Sequence, residues 1–309
     1  MWWKLLAPLA FAGGALLHPA TGPLPTSSLA VWRDGAWREW WTSASAPSAW
    51  TGPDHGLTSA MEWRPLGSGI TWSEVRLAGR GEAWRLKLIV ARIDPRRATL
   101  TLDTAFTAGR ARAAWSVDRA PEDAVIAINA GQFARALPWG WVQLSGREFL
   151  APGTGPLSSG IGIDSTGRIR WIDGASIGDP LTRRGLAWGF QSYPTLLSSG
   201  GRVPDELQAP GRGIDVAHRD ARLAIGTTSD GQFLIALTRF DGVGSALGFV
   251  PFGLTTPEMA AVMGALGARD AVMLDGGISS QMLIRDSSGE HRWTGLRKVP
   301  LALVVRPRR

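Results

Sequence analysis

The sequence predicts an α+β domain built on a mixed, largely antiparallel β-sheet with packed helices. Three observations carry that prediction. Short β-rich runs recur with turn signals between them. Two of these runs, in ARLAIGTTSDGQFLIALTRF, are joined by Ser229, Asp230 and Gly231 as a hairpin. One helix with a capping signal leads directly into a further apolar strand. The 309 residues are 44% hydrophobic and 19% charged, which supports a substantial single-domain core and excludes a disordered chain.

Residues 20 to 60 are rich in Pro, Ser, Thr and Trp without sustained periodicity, and read as a lead-in. Its Trp37, Trp40 and Trp41 either pack on the domain or form a carbohydrate-stacking surface. From Ile70 the pattern becomes regular: ITWSEVRL alternates, and WRLKLIVARI and ATLTL are strand-like runs separated by a turn at Asp94-Pro95. Residues 108 to 121 are expected to form a short helix with Ala111, Ala114 and Trp115 among its apolar positions. AVIAI, residues 124 to 128, is a compact strand running into Asn129, Ala130 and Gly131, and GIGIDSTGRIRW suggests two more strands about an Asp-Ser-Thr-Gly turn.

The sequence Thr255-Thr256-Pro257-Glu258 offers a cap, an early proline and an acid near the positive end of a helix dipole. Met259, Val262, Met263 and Leu266 then form an apolar face, and Gly267 can end the helix. AVML at 271 to 274 follows as a strand terminated by Asp275, Gly276 and Gly277, and QMLI and LALVV supply later strands.

At the amino end, Met1, Trp2, Trp3 and Lys4 precede the apolar run LLAPLAFAGGALL. Residues 1 to 20 therefore read as a signal peptide, 21 to 64 as the lead-in and 65 to 305 as the domain. Pro8, Gly13 and Gly14 weaken a membrane-helix reading, and a span needs about 20 apolar residues. The expected location is periplasmic or secreted, a retained amino-terminal membrane anchor being the alternative. The chain has no Cys, which excludes disulfides, thiolate metal sites and thiol nucleophiles and suits export without oxidative folding.

The formal charge of +7 falls to about +1 once Arg292, Arg297, Lys298, Arg306, Arg308 and Arg309 are set aside. The body is nearly neutral and the basic end reads as solvated, with no pattern for nucleic-acid recognition. Neither a phosphate-binding Lys loop nor a GxGxxG dinucleotide fingerprint is present, and no EF-hand or His-rich spacing specifies a metal.

Two strand ends attract attention, AINAGQF at 127 to 133 and LDGGISSQM at 274 to 282. Each puts a hydrogen-bonding side chain after a rigid strand and beside glycine, where a ligand can approach the backbone. Taken singly, Asn129 can equally cap a turn and Asp275 can equally close an Asx turn. Glu258 is explained by the helix cap and Asp230 by its hairpin.

In order along the chain, AINAGQF, SYPTLLSSG, HRDARLAIGTTSDGQFLIALTRF and TTPEMAAVMGALGARDAVMLDGGISS resemble the phosphodiester glycosidase family, over about residues 65 to 305. The family's strand-end Asn falls on Asn129 and its glycine on Gly131. Its basic positions fall on His218 and Arg222, and its acidic strand end on Asp275, Gly276, Gly277, Ser279 and Ser280. Ala130 and Gln132 stand where a second glycine and aromatic residues are usual, and Ile278 replaces a small residue.

The resemblance implies an exported hydrolase that cleaves the glycosidic bond of a sugar-1-phosphodiester in envelope or exopolysaccharide metabolism. Its partner would be that glycosyl phosphodiester or an envelope polysaccharide, with no cofactor, nucleic acid or stable protein partner expected. Asp275 would act as base, nucleophile or oxocarbenium stabiliser, Arg222 would clamp phosphate, and His218 would serve the leaving side. Asn129 would bind a sugar hydroxyl or phosphate oxygen, while the glycines and Ser279 and Ser280 would shape an anion pocket. A noncatalytic glycan-binding protein of the same fold is the rival reading, and gathering of Asn129, His218, Arg222 and Asp275 in one cleft would favour chemistry.

Overall fold

Alternating apolar side chains along successive strands bury both faces of a central sheet. The computed structural model describes residues 26–107, 110–111, 114–134, 136–155, 157–242 and 252–308. The signal-peptide segment read at 1 to 20 lies outside the described residues. The largest sheet has nine strands, with Thr195–Leu197, Ala268–Met273, Leu223–Thr228, Phe233–Phe240, Leu86–Ile93, Ile70–Ala78, Ser28–Arg33 and Ala36–Thr42 in that lateral order and Arg64–Gly67 pairing with Ile70–Ala78. Five-stranded sheets are built around Ile126–Asn129 and Leu301–Pro307, and around Ser159–Asp164 and Leu186–Ser192. The ladders of these three sheets are antiparallel, so the α+β expectation holds with a small helical component.

The two faces of the nine-stranded sheet feed different cores. Leu88, Val90, Leu234 and Ala236 pack toward Met259, Val262 and Met263 of the helix Thr256–Ala265. Their neighbours Ile89, Ala91, Phe233, Ile235 and Leu237 point the other way, against Ile126, Ile128, Leu301 and Leu303 of one five-stranded sheet and Ile161 and Phe190 of the other. A strand covered on both faces reads as a continuous apolar run, which is why FLIALTRF and LKLIVARI look as they do.

The helix forms as its sequence predicts. The Thr255 hydroxyl accepts from the Glu258 N–H at 3.3 Å, the Glu258 carboxylate accepts from the Thr255 N–H at 2.9 Å, and Gly267 at φ +91° follows the last turn. Nine of its ten residues are buried, because the sheet covers one side and the amino-terminal segment around Trp50 covers another. Glu258 also receives a bidentate pair from Arg219, at 2.6 and 2.7 Å, so the cap has a charged partner.

Two local expectations fail. The described part of residues 108 to 121 holds no α-helix: Arg110–Ala111 pairs with Phe106–Thr107, Trp115 bridges to Val299, and Val117–Arg119 makes a single 3₁₀ turn. Competition from backbone pairing with the carboxyl-terminal segment overrides the modest helix propensity of these residues. The supposed lead-in is likewise structured, since Ser28–Arg33 and Ala36–Thr42 form a hairpin that joins the large sheet through Ile70–Ala78. Asp34 at φ +54° and Gly35 at φ +76° make its two-residue turn. Trp41 is buried and Trp40 packs on the same core, whereas Trp37 stays 43% exposed and meets Trp32 edge to face at 5.4 Å.

Gly264 gives a test in which two effects oppose each other. Replacement by alanine favours a helix by about 1 kcal/mol, but the added Cβ would lie 2.2 Å from Trp50 Cγ, inside the core. Overpacking of this kind costs about 1–3 kcal/mol, so Gly264→Ala is expected to lower the urea midpoint.

Candidate active site

Three strand ends from two different sheets converge at one place: residues 129 to 131, 220 to 222 and 275 to 280. Asn129 ends a strand of a five-stranded sheet, whereas Asp275 follows Ala268–Met273 of the nine-stranded sheet. The junction is hydrogen-bonded throughout. The Asp275 N–H donates to the Gly131 carbonyl at 2.9 Å, and the Asn129 amide donates to the Asp275 carbonyl at 2.8 Å. The Asn129 Oδ1 accepts from the Gln281 N–H at 2.9 Å. Asn129 has no exposed surface. Its side chain therefore holds the loop that carries Asp275, and the sugar contact expected of it gives way to this positioning role.

The third strand end is added through glycine. The Gly277 N–H donates to the Ala221 carbonyl at 2.7 Å, with Gly277 at φ +55°. A Cβ on Gly277 would sit 2.4 Å from Asp220 Oδ2, and one on Gly276 would sit 2.6 Å from the Ala221 carbonyl oxygen. Both glycines thus allow backbone to approach backbone, and Gly277 makes room for a carboxylate. Gly131, at φ +66°, provides the left-handed turn that delivers its carbonyl to Asp275. Ser279 and Ser280 are buried, and the Ser280 hydroxyl donates to the Gly277 carbonyl at 2.8 Å, so Ser280 braces the loop.

Asp220 is the member of this group that was not singled out from the sequence. Its side chain is 22% exposed, its Oδ2 lies 3.7 Å from His218 Nε2, and its Oδ1 accepts from the Ala221 N–H at 2.8 Å. Burial pushes its carboxyl up, against the pull of Arg222, the Ala221 hydrogen bond and His218. Burial raises Asp275 further, to about 6, opposed by a hydrogen bond with Ser279 and the charge of Arg297 and reinforced by the charge of Asp220. Asp275 therefore feels the charge of Asp220, and the cations around Asp220 oppose, without overcoming, the burial that raises it.

The arginines divide into framework and surface. Arg222 is 8% exposed, its Nε donates to the Leu254 carbonyl at 2.7 Å and its Nη2 to the His218 carbonyl. Burial lowers its pKa, opposed by Asp220. Arg239 is also buried, donates to the carbonyls of Ser280 and Thr294, and is held down at about 10 by burial, with Asp220 pulling the other way. Both place positive charge near Asp220. His218 is exposed beside Asp220. Asn129, His218, Arg222 and Asp275 are thus gathered around one junction, with Asn129 and Arg222 committed to backbone groups. Among the described residues, no group of three or more His, Asp or Glu side chains is placed to hold a metal ion.

Asn129→Ala would leave the Gln281 N–H and the Asp275 carbonyl without their partner, and is expected to lower unfolding free energy by about 2–4 kcal/mol in urea titrations. Asp275 sets a pH-dependent test. With a carboxyl at about 6 in the folded chain against an ordinary 3.8, its contribution to stability is complete below about pH 4 and is lost as pH rises through 6. Asp275→Asn is therefore expected to gain stability relative to the parent protein between pH 4 and 7, measured as the difference in melting temperature across that range.

The family model for phosphodiester glycosidases matches residues 122–306, a span that contains all three strand ends. No curated protein matches the chain by sequence. Among solved structures, a hypothetical protein from Synechocystis is similar at a TM-score of 0.55 and 16% identity, covering 87% of this chain and 65% of its own, so the chain spans about two thirds of that protein's length. The catalytic domain of zebrafish N-acetylglucosamine-1-phosphodiester alpha-N-acetylglucosaminidase, auto-inhibited by its pro-peptide, is similar at a TM-score of 0.55 and 15% identity over 84% of this chain and 87% of its own. These two likenesses speak to the fold, and the family match covers well over half of the sequence. The chain belongs to the phosphodiester glycosidase family.

Proposed function

We propose that the protein hydrolyses the glycosidic C1–O bond of a sugar-1-phosphodiester, releasing free sugar and a phosphate monoester. The observation that carries this reading is the pair of half-buried carboxylates, Asp220 and Asp275, on strand ends locked together in a family whose name describes that chemistry. Periplasmic or secreted action on envelope or exopolysaccharide material is the setting proposed with it. A binding-only relative would not need two half-buried acids, both pushed up by burial, at one junction, and the pairing favours the enzyme.

The electrostatics divide the labour. Asp220, beside His218 and the buried Arg222, is the acid assigned to work in its ionised form, because these cations pull its carboxyl down against the burial that raises it. In that form it stabilises positive charge developing at the anomeric carbon and accepts a proton from the attacking water. Asp275 holds its proton up to about pH 6 and donates it to the phosphoryl oxygen as the C1–O bond breaks. Water supplies hydroxide to C1 and a proton to Asp220, Asp275 supplies a proton to the leaving oxygen, and return of the proton from Asp220 to Asp275 resets the site.

Turnover of a panel of α- and β-glycosyl-1-phosphodiesters tests this directly. Asp220→Asn and Asp275→Asn are each expected to lower kcat by at least about a hundredfold while remaining folded. In the parent protein kcat/KM should decline above about pH 6 as Asp275 loses its proton, and Asp275→Asn should abolish that alkaline limb. A parent protein that turns over none of the diesters would speak for the glycan-binding alternative.

A further inference from the structure

We infer that Arg297, held by the ring of Phe133, is the cation that recognises the phosphodiester, in place of Arg222; the inference rests on the hydrolytic reading of Asp220 and Asp275. A diester monoanion is best met by a guanidinium whose N–H groups are unspent and reachable. The framework arginines do not offer this. Arg222 and Arg239 are buried and bound to backbone carbonyls, and Arg219 is committed to both oxygens of Glu258.

Arg297 differs in each respect. It is exposed, and no carboxylate among the described residues pairs with it within salt-bridge distance. Its guanidinium carbon stands 5.0 Å from the centroid of the Phe133 ring, a cation–π contact that engages the flat face and leaves the edge donors free.

The position of this cation is fixed by the same junction that fixes the acids. The Leu296 and Arg297 N–H groups donate to the Ile278 carbonyl at 2.7 and 3.2 Å, and the Arg297 carbonyl accepts from the Gln281 amide at 3.3 Å. Gly295 packs so closely on this loop that a Cβ would lie 3.0 to 3.1 Å from the carbonyl oxygens of Ser279, Ile278 and Ser280. Phe133 comes two residues after Gly131, whose carbonyl receives the Asp275 N–H. Ring and cation thus arrive on separate segments, one tied through Gly131 to the Asp275 N–H and the other to the Ile278 carbonyl of the same loop, and the charge of Arg297 is felt by the Asp275 carboxyl. A phosphate received there lies beside the acid that protonates its oxygen. The selectivity expected of such a site is for an anionic leaving group over a neutral one.

The test compares the parent protein with Arg297→Gln, Arg297→Lys and Phe133→Leu, each checked for unchanged melting. Two substrates of one sugar are used, its methyl 1-phosphodiester and its uncharged aryl glycoside, together with calorimetric titration of inorganic phosphate. Arg297→Gln is expected to lose about 10- to 100-fold in kcat/KM on the diester, mostly through KM, and at least tenfold less on the aryl glycoside. Arg297→Lys should recover part of the loss, and Phe133→Leu should show a smaller loss in the same direction. Phosphate affinity should fall at least tenfold in Arg297→Gln. Equal losses on charged and uncharged substrates would overturn the inference. If the parent protein turns over neither substrate, the hydrolytic reading fails while the phosphate titration still decides: unequal affinity supports an anion site at Arg297, and equal or undetectable binding overturns it.

Discussion

The buried amide of Asn129 is the contact on which the site depends. It joins strand ends from two sheets by donating to the Asp275 carbonyl and accepting from the Gln281 N–H, and it does so with no exposed surface. Neither partner could be left unbonded there without a substantial penalty. Gly131, Gly276 and Gly277 permit the close backbone approach this amide requires, and Gln281 extends it by accepting from the Val117 N–H at 2.9 Å. The acids are consequently held by main-chain hydrogen bonds of large sequence separation, so their placement follows from the mutual docking of the two sheets.

That docking is what makes the electrostatic arrangement sustainable. Burying two carboxylates opposes folding, because desolvation raises both and the charge of Asp220 adds to the rise of Asp275. Arg222 and Arg239 provide compensating charge for Asp220, and each donates to backbone carbonyls. Such local instability is tolerable only within a larger core, which the two apolar faces of the nine-stranded sheet provide. The Arg219–Glu258 pair performs a parallel task, tying the segment before Asp220 to the amino end of the helix.

Elements whose signals are local were legible in the sequence. The capped helix, the hairpin across Ser229 to Gly231 and the strands ending at Asn129 and before Asp275 all declare themselves within a few residues. The hairpin at Asp34-Gly35 carried an equally local turn signal, but the surrounding Pro, Ser and Trp content obscured it. Other features depend on partners distant in the chain. Trp115 lies extended because Val299 pairs with it, and Asp220 matters because Gly277 leaves space for its carboxylate. Arg297 looked like one of several terminal basic residues, although Arg292 pairs with Glu290 and Asp118 and Arg306 pairs with Asp123. Its separate position becomes visible only when Phe133 is brought beneath it.

The division between bonded framework and exposed rim has a consequence for substrate choice. Asn129, the glycines and the buried arginines constrain one another through backbone contacts, so replacing any one of them disturbs the placement of the acids. Ile278, on the loop that carries Asp275, presents an exposed side chain whose exchange would not break that bonding pattern. On the proposed hydrolytic reading, substitution at such an exposed position would alter which substrate the site receives while leaving the placement of the acids unchanged.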